Sequence, residues 1–477
     1  MTAGRDYLWL GAILLVAAVA RIVHLNSPLW YDEILTVTTH LLPGWGAFFT
    51  DYSMNHHYFH DLFAKATIDT FGESPWSVRL PAMLFGVAGI AAMWVLARDI
   101  AGAGPAHVTA LLLAASYHHI WFSQNARGYT ALALFSTLGL IFFLRGMRTP
   151  RAATWIGFGL CLAAAVFTHL TGAFFFIALG LAWLAALVVM PDRTGRVGLP
   201  LLGAAVGAAV TVIVYLPLIP GILATVGEVA GTSTVDVMQE YQNPVWTAVE
   251  AVRTGIGSGG GLVTGLVGLT VVALIGIGAV VAGRSAPLFA PSVVLSIVVT
   301  VAILMTLGMR LWPRFFFVDI GFLMLLIVLG VRTVSGWIAS VFPTALARLV
   351  WPVAVLAMVA VSCGLAARNY AMPKQDLAGA YALVEAARKP GERVYAVGHA
   401  ATAFTGYFSA DWVPLMEEAE YKAAMAVPGP VTFVVAFPAR SFRRIPALDA
   451  DRADVLTEVK WFPGTLGDGG VVVLRRD

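Results

Sequence analysis

Two adjacent carboxylates, Asp32 and Glu33, sit in the stretch Pro28-Leu29-Trp30-Tyr31-Asp32-Glu33, just past a long apolar run from Tyr7 to Leu25. Acids at the mouth of a membrane span are costly to bury, so they face water or a polar cavity. A carboxylate there can take a proton from a hydroxyl or hold a metal ion. Further along, Tyr117-His118-His119-Ile120-Trp121-Phe122-Ser123-Gln124-Asn125-Ala126-Arg127-Gly128-Tyr129 gathers polar groups in one short turn. Gln124, Asn125, Arg127 and Tyr129 supply donors for an anion, and a guanidinium fork matches phosphate oxygens. Gly128 is expected to let that turn close tightly. Arg79, Arg253, Arg310 and Arg314 share the property of lying at span ends where no topological need places them. Headgroup snorkelling is the plain alternative for each. His56, His57 and His60 form a third group, which could ligate a metal with Asp32, Glu33 or Asp51, or simply hydrogen-bond at a wet interface. Asn55 and His169 stand beside these groups as further site candidates.

The elements that must position these groups are membrane helices. The chain has 477 residues, 59% hydrophobic and 12% charged, with mean hydropathy +0.81. A soluble domain carries about twice that charge fraction. The formal net charge of +3 is too small and too scattered for a nucleic-acid partner. Cys161 and Cys363 both lie in apolar runs, so neither a disulfide framework nor a thiolate metal site is expected. The first apolar run reads as a span rather than a cleavable signal, since it is long and no small-residue cleavage pattern follows it. Runs long enough to span are expected near 7–25, 79–97, 106–122, 129–146, 153–169, 172–190, 198–219, 260–282, 287–308, 315–331 and 350–367, about eleven in all.

Arginine sets the orientation. Arg98, then Arg145, Arg148 and Arg151, then Arg193 and Arg196, then Arg284, then Arg332 and Arg348 fall in alternate loops, which marks those loops as the inner side. The outer side then holds the loop 26–78, the turns at Arg127 and His169, the long loop 220–258, the turn 309–314 and everything after 367. Short interfacial helices are expected at 43–50 and 58–71. Asp32, Glu33, Arg127, His169 and Arg314 thus share one membrane face. Asp319, within the span after Pro313, is expected to hold Arg314 by a local ion pair. Residues 1–367 read as the membrane domain. Residues 368–477, with a helix near 376–388 and strands near 392–398, 431–437, 455–461 and 470–475, read as a small α/β domain. That domain has no glycine-rich phosphate motif and is assigned no chemistry; acceptor recognition and lid formation remain open for it.

The ordered set Trp30-Tyr31-Asp32-Glu33, Gly72-Glu73-Ser74-Pro75-Trp76-Ser77-Val78-Arg79-Leu80-Pro81, Ser123-Gln124-Asn125-Ala126-Arg127-Gly128-Tyr129, Pro313-Arg314-Phe315-Phe316 and Lys374-Gln375-Asp376-Leu377 resembles the GT-C superfamily of integral-membrane glycosyltransferases. Within it, the resemblance is to the bacterial branch related to protein O-mannosyltransferases and lipid A aminoarabinose transferases. It departs from many relatives at Met54-Asn55-His56-His57-Tyr58, where they carry Asp-x-His-Pro-Pro, and at Leu377, where they carry Trp. The resemblance implies transfer of a sugar from a polyprenyl-phosphate carrier to an acceptor hydroxyl on a lipid, glycan or protein. The implied setting is the extracytoplasmic face of a bacterial inner or plasma membrane. Asp32 is the expected base, with Glu33 second. Arg127, Tyr129, Gln124, Arg314 and Arg79 are the expected ligands of the carrier phosphate. No cofactor is certain and a divalent metal stays open, with Asp32, Glu33 and His56 as its ligand candidates. Two rival readings are a secondary transporter or lipid flippase, and a polymerase or ligase using diphosphate-linked saccharide. Transporters favour repeated halves and mid-span charge, which this chain lacks. Supply of a monophosphate-linked single sugar separates the third reading from the first.

Overall fold

The computed structural model describes residues 2–53, 55–189, 195–224, 239–256 and 261–477. Arg193, residues 225–238 of the expected long loop and the Arg253 side chain lie outside what is described. Eight helices among the described residues are long and apolar enough to cross a membrane: Pro75–Ala101, Tyr129–Arg148, Gly172–Val189, Gly198–Ala224, Leu262–Gly283, Phe289–Thr306, Pro313–Ala339 and Thr344–Ala371. Thr2–Ile22, Ala103–Ala114 and Ala152–Thr168 complete the bundle. Each of the eleven expected runs is therefore helical.

The third run is not one helix. It stops at Ala114 and restarts as Tyr117–Ser123, with the Ser116 side chain accepting from the His119 amide. A helix end leaves carbonyls without partners. Here Arg21, fully buried, donates to the Leu113 and Ala114 carbonyls (both 3.2 Å) and to His119 Nδ1 (2.8 Å). That cation from the first helix supplies partners for the carbonyls at the break.

Small residues set the closest helix approaches, as they do where packing rather than hydrophobic burial drives association. Gly159 faces the Gly203 carbonyl, and Gly278 faces the Leu326 carbonyl, each leaving no room for a Cβ. The bundle core is filled by Trp94, Phe143, Trp155, Phe289 and Phe322.

The two ends of the bundle differ. At one end Arg145 Nε donates to Asp99 (2.7 Å) and Arg148 donates to the Ser285 carbonyl (2.7 Å). These are the loops expected inside. At the other end the loop 26–78 is folded into helices Tyr31–Leu35, Trp45–Thr50 and Tyr58–Phe71, with a wider π turn over Thr36–Leu41. Leu29, Ile34, Val37, Leu41, Ala64 and Ile68 of this loop share one buried cluster with Leu377, Ala380, Val394, Phe404 and Phe437 of the C-terminal domain.

That domain carries a five-stranded sheet: β1 Arg393–Val397, β2 Val413–Leu415, β3 Val431–Ala436, β4 Thr457–Phe462 and β5 Val471–Arg476. The order is β2-β1-β3-β5-β4, parallel across β2-β1-β3 and antiparallel across β3-β5-β4. β3 is buried along its whole length, as a central strand covered on both faces must be. Helices Glu418–Ala426, Pro438–Arg444 and Pro446–Asp454 supply part of that cover. The long outer segment is not all loop either: Pro244–Ile256 is helical, and the Leu311 amide donates to the Tyr241 carbonyl (2.7 Å).

Candidate active site

Trp30 precedes the first turn of the Tyr31–Leu35 helix, and Glu33 reaches back to accept from its amide (3.2 Å). Neighbouring positions on a helix point to different sides. Glu33 therefore turns inward, fully buried, while Asp32 turns outward to the rim at 18% side-chain exposure.

Inside, Arg79 meets Glu33 with two contacts, Nε to Oε1 at 2.7 Å and Nη2 to Oε2 at 2.5 Å. The remaining Arg79 donors reach the carbonyls of Leu25 (2.9 Å), Ser27 (2.7 Å) and Pro28 (3.1 Å). The Ala126 amide also donates to Glu33 (2.8 Å). Burial pushes the Glu33 carboxyl up, but the charge and hydrogen bonds of Arg79 outweigh it and hold it below its ordinary value. Arg79 arrives there because the 72–81 stretch starts a helix. Ser74 and Ser77 cap each other, Pro75 begins the first turn, and Arg79 follows one turn later. Glu33, expected as second base, and Arg79, expected as a phosphate ligand, are thus paired with each other in the interior.

At the rim, Arg314 Nη1 lies 3.6 Å from Asp32 Oδ2, with its guanidinium over Trp312 (5.4 Å) and Phe315 (5.8 Å). Pro313 opens the helical turn that carries it, as the sequence predicts. Asp319 does not hold Arg314: it is buried, with Oδ1 lacking a hydrogen-bond partner, and Asp32 is the acid that Arg314 meets.

Arg127 is 3% exposed. It donates to the Asn55 side chain (2.6 Å) and carbonyl (3.1 Å) and to Thr36 Oγ1 (3.4 Å), and its Nε has no partner. Among the described residues no carboxylate lies within ion-pair distance of it. A buried cation without a counter-ion is costly. His169 lies between the two arginines: burial first, then the charges of Arg127 and Arg314, bring its pKa down to about 3. It is a neutral imidazole, packed beside His57 (4.9 Å), Phe315 (5.9 Å) and Tyr129 (6.0 Å). Gly128 is needed for space rather than for a special dihedral, its φ being −75°. A Cβ there would sit 2.6 Å from Thr168 Cγ2 and 3.0 Å from His57 Nδ1.

Gln124 is elsewhere. It donates to the Arg21 and Val23 carbonyls at the end of the first helix and accepts from Asn369 (2.7 Å). It ties the first helix to the last membrane helix.

The histidines engage an acid that sequence reading did not single out. Asp61 accepts from the His57 amide (2.9 Å), and its oxygens lie 3.2 Å from His56 Nδ1 and 2.8 Å from His60 Nδ1. Asp32, Glu33 and His56 do not converge. Among the described residues no group of three or more His, Cys, Asp or Glu side chains is arranged to hold a metal ion.

The Lys374-Gln375-Asp376 stretch also has a physical role. Lys374 donates to the Gln124 carbonyl (2.6 Å) and lies over Trp121 (5.4 Å). Burial, with Arg79 adding and Glu33 opposing, brings its pKa down to about 7. Gln375 accepts from the Tyr31 amide (3.3 Å), and Asp376 caps the Leu377–Ala387 helix. The turn carrying Arg127 and the helix carrying Asp32 are thus bolted to the C-terminal domain.

The comparisons with known proteins follow this geometry. Residues 55–217, about a third of the chain, match the family described as Dolichyl-phosphate-mannose-protein mannosyltransferase. No curated protein matches the sequence. ArnT from Cupriavidus metallidurans in the apo state is similar in structure at TM-score 0.54 and 16% identity, covering 99% of this chain and 98% of that one. ArnT bound to undecaprenyl phosphate gives the same score and identity over 100% and 98%. The archaeal oligosaccharyltransferase AglB from Archaeoglobus fulgidus, in complex with an inhibitory peptide and a dolichol-phosphate, matches at 0.54 and 14%, covering 92% and 71%. The chain is an integral-membrane protein with the fold of the GT-C glycosyltransferases.

Proposed function

We propose that the protein transfers a single sugar from a polyprenyl-phosphate carrier to an acceptor hydroxyl on a lipid, glycan or protein. The observation that carries this reading is the rim pair. Asp32 is a partly open carboxylate 3.6 Å from Arg314, whose other face adjoins aromatic rings at a span entrance. An acceptor oxygen is a weak nucleophile until a base takes its proton, and Asp32 is placed to take it. The new bond joins that oxygen to the anomeric carbon as the bond from that carbon to the phosphate oxygen breaks. The proton passes to Asp32, and the electron pair leaves with the phosphate. One displacement inverts the anomeric centre. The leaving phosphate is a stable anion and needs charge stabilisation rather than a proton. Arg127 and Arg314 supply it where water is scarce.

The site faces the periplasm or cell exterior of a bacterial membrane, opposite the arginine-bearing loops. Cysteines placed at the exposed positions Ser409 and Lys422 should react with an impermeant reagent added to intact spheroplasts. Reaction only after permeabilisation would contradict this orientation. Function is tested by mass spectrometry of envelope lipids and glycans from cells with and without the protein. The expected result is loss of one sugar from one product with accumulation of its polyprenyl-monophosphate form. Accumulation of a diphosphate-linked oligosaccharide instead would contradict single-sugar transfer.

A further inference from the structure

The C-terminal domain brings a side chain of its own to the rim. β3 ends at Ala436, and at Phe437, a non-glycine residue at φ 53°, the chain turns into the Pro438–Arg444 helix. Asp468 accepts from the amides of Ala439 (2.8 Å) and Arg440 (3.3 Å), and its Oδ2 lies 3.3 Å from Arg440 Nε. The acid therefore fixes both the backbone and the side chain of Arg440. The guanidinium lies over Phe437 (4.6 Å) and over Trp312 (5.8 Å). Trp312 is the ring that also carries Arg314. Three guanidiniums, Arg310 and Arg314 from the membrane domain and Arg440 from the C-terminal domain, thus share one indole beside Asp32.

Bringing like charges together costs free energy unless an anion answers them. Arg440 feels burial first, and then the charges of Asp468, Asp32, Arg314 and Arg310. Arg314 meets Asp32 at 3.6 Å and Arg440 meets Asp468 at 3.3 Å, each on one side of its guanidinium. Both side chains keep about a third of their surface exposed, 36% and 33%. Their donors are therefore held in place by rings and carboxylates yet remain open for a ligand. Two guanidiniums over one ring, each with nitrogens left open, offer a phosphate group the fork it pairs with.

Resting on the donor reading given above, we propose that Arg440 binds the carrier phosphate as a second arm, delivered by the C-terminal domain and closing on Arg314 across Trp312. The domain is then part of the donor site rather than a cover over it. The experiment measures affinity of the full-length protein in nanodiscs for undecaprenyl phosphate and for undecaprenol, which lacks the phosphate. Wild type should prefer the phosphate. Arg440→Gln should lose about tenfold in phosphate affinity, with undecaprenol affinity and melting temperature held. Arg440→Lys should recover part of the loss. Arg452→Gln, at an exposed arginine of the same domain, should change nothing. An unchanged preference for phosphate in Arg440→Gln would overturn the proposal, as would an equal loss for both probes, which is the signature of a docking role. A wild type that shows no preference at all would instead overturn the donor reading itself.

Discussion

Asp32 and Glu33 are adjacent in sequence and opposite in circumstance. Glu33 has no exposed surface and receives two donors from Arg79 and one each from the amides of Trp30 and Ala126. Asp32 is partly exposed and meets one guanidinium at 3.6 Å. The inner pair is saturated and the rim pair is not. A buried carboxylate with every acceptor position filled fixes the chain, because any change of partner leaves a charge stranded in a poor dielectric. A carboxylate with acceptor capacity left over can take a proton from something else. The same split holds for the arginines. Arg79 has a partner for each of its terminal nitrogens, whereas Arg127 and Arg314 each keep an Nε without one.

The largest effect follows from disturbing the inner pair. Glu33→Gln or Arg79→Ala should cost stability on the order of 3–5 kcal/mol, the usual consequence of removing one partner of a buried ion pair. Thermal unfolding in detergent reads this directly. A Glu33→Gln protein that melts with wild type yet fails to transfer sugar would reverse the assignment of structure and chemistry between the two acids.

The rim arginines come next. Arg127→Ala and Arg314→Ala should each weaken binding of the donor lipid by about tenfold, roughly 1.4 kcal/mol, and slow transfer. Lysine at either position should rescue only in part, because an ammonium cannot make the bidentate contact. Unchanged donor affinity in both alanine variants would mean that neither arginine binds the carrier phosphate. Retained affinity with slower transfer at saturating donor would assign them to the departing phosphate's charge.

A pH-dependent effect separates the histidine cluster from the rim. Burial, opposed by Asp61 and aided by His40, Arg127 and His60, lowers His56 from 6.5 to about 3. The unfolded chain takes up this proton near pH 6.5 and the folded chain does not until about pH 3. Between those values the unfolded state binds more protons, so the fold is at full strength above pH 6.5 and weakens as pH falls. The slope for this one group is up to about 1.4 kcal/mol per pH unit. His56→Gln should flatten the acid limb of a stability–pH curve by about one proton. A limb of unchanged slope would show that His56 is already charged in the fold.

Much of this architecture was legible from the chain. Long apolar runs gave the helices, since in lipid each backbone group must be satisfied within its own segment. Runs such as Val431–Ala436 and Val471–Arg476 announced the sheet through their β-branched residues. β2 did not, because Val413–Leu415 is three residues long and carries no periodicity. The helix break after Ala114 was hidden for a different reason: its cause, Arg21, is a whole span away. The same holds for the site. Local patterns pointed to Asp32, Arg127 and Arg314, but which acid meets which arginine depends on packing. Nothing near Arg79 in sequence announces Glu33, which pairs with it across 46 residues, and Arg314 meets Asp32 rather than the nearer-in-sequence Asp319. Arg440 had no local signal, since it reaches the rim only once the C-terminal domain is docked.

The most direct test compares the two neighbouring acids under one condition. Asp32→Asn and Glu33→Gln are assayed for single-turnover transfer, with donor lipid saturating and the rate counted per folded molecule. Asp32→Asn should fold and bind donor as wild type does, yet transfer on the order of a hundredfold more slowly or worse, as expected for a lost general base. Glu33→Gln, per folded molecule, should lose much less. Near-normal turnover by Asp32→Asn, or a reversal of the two ranks, would contradict the account.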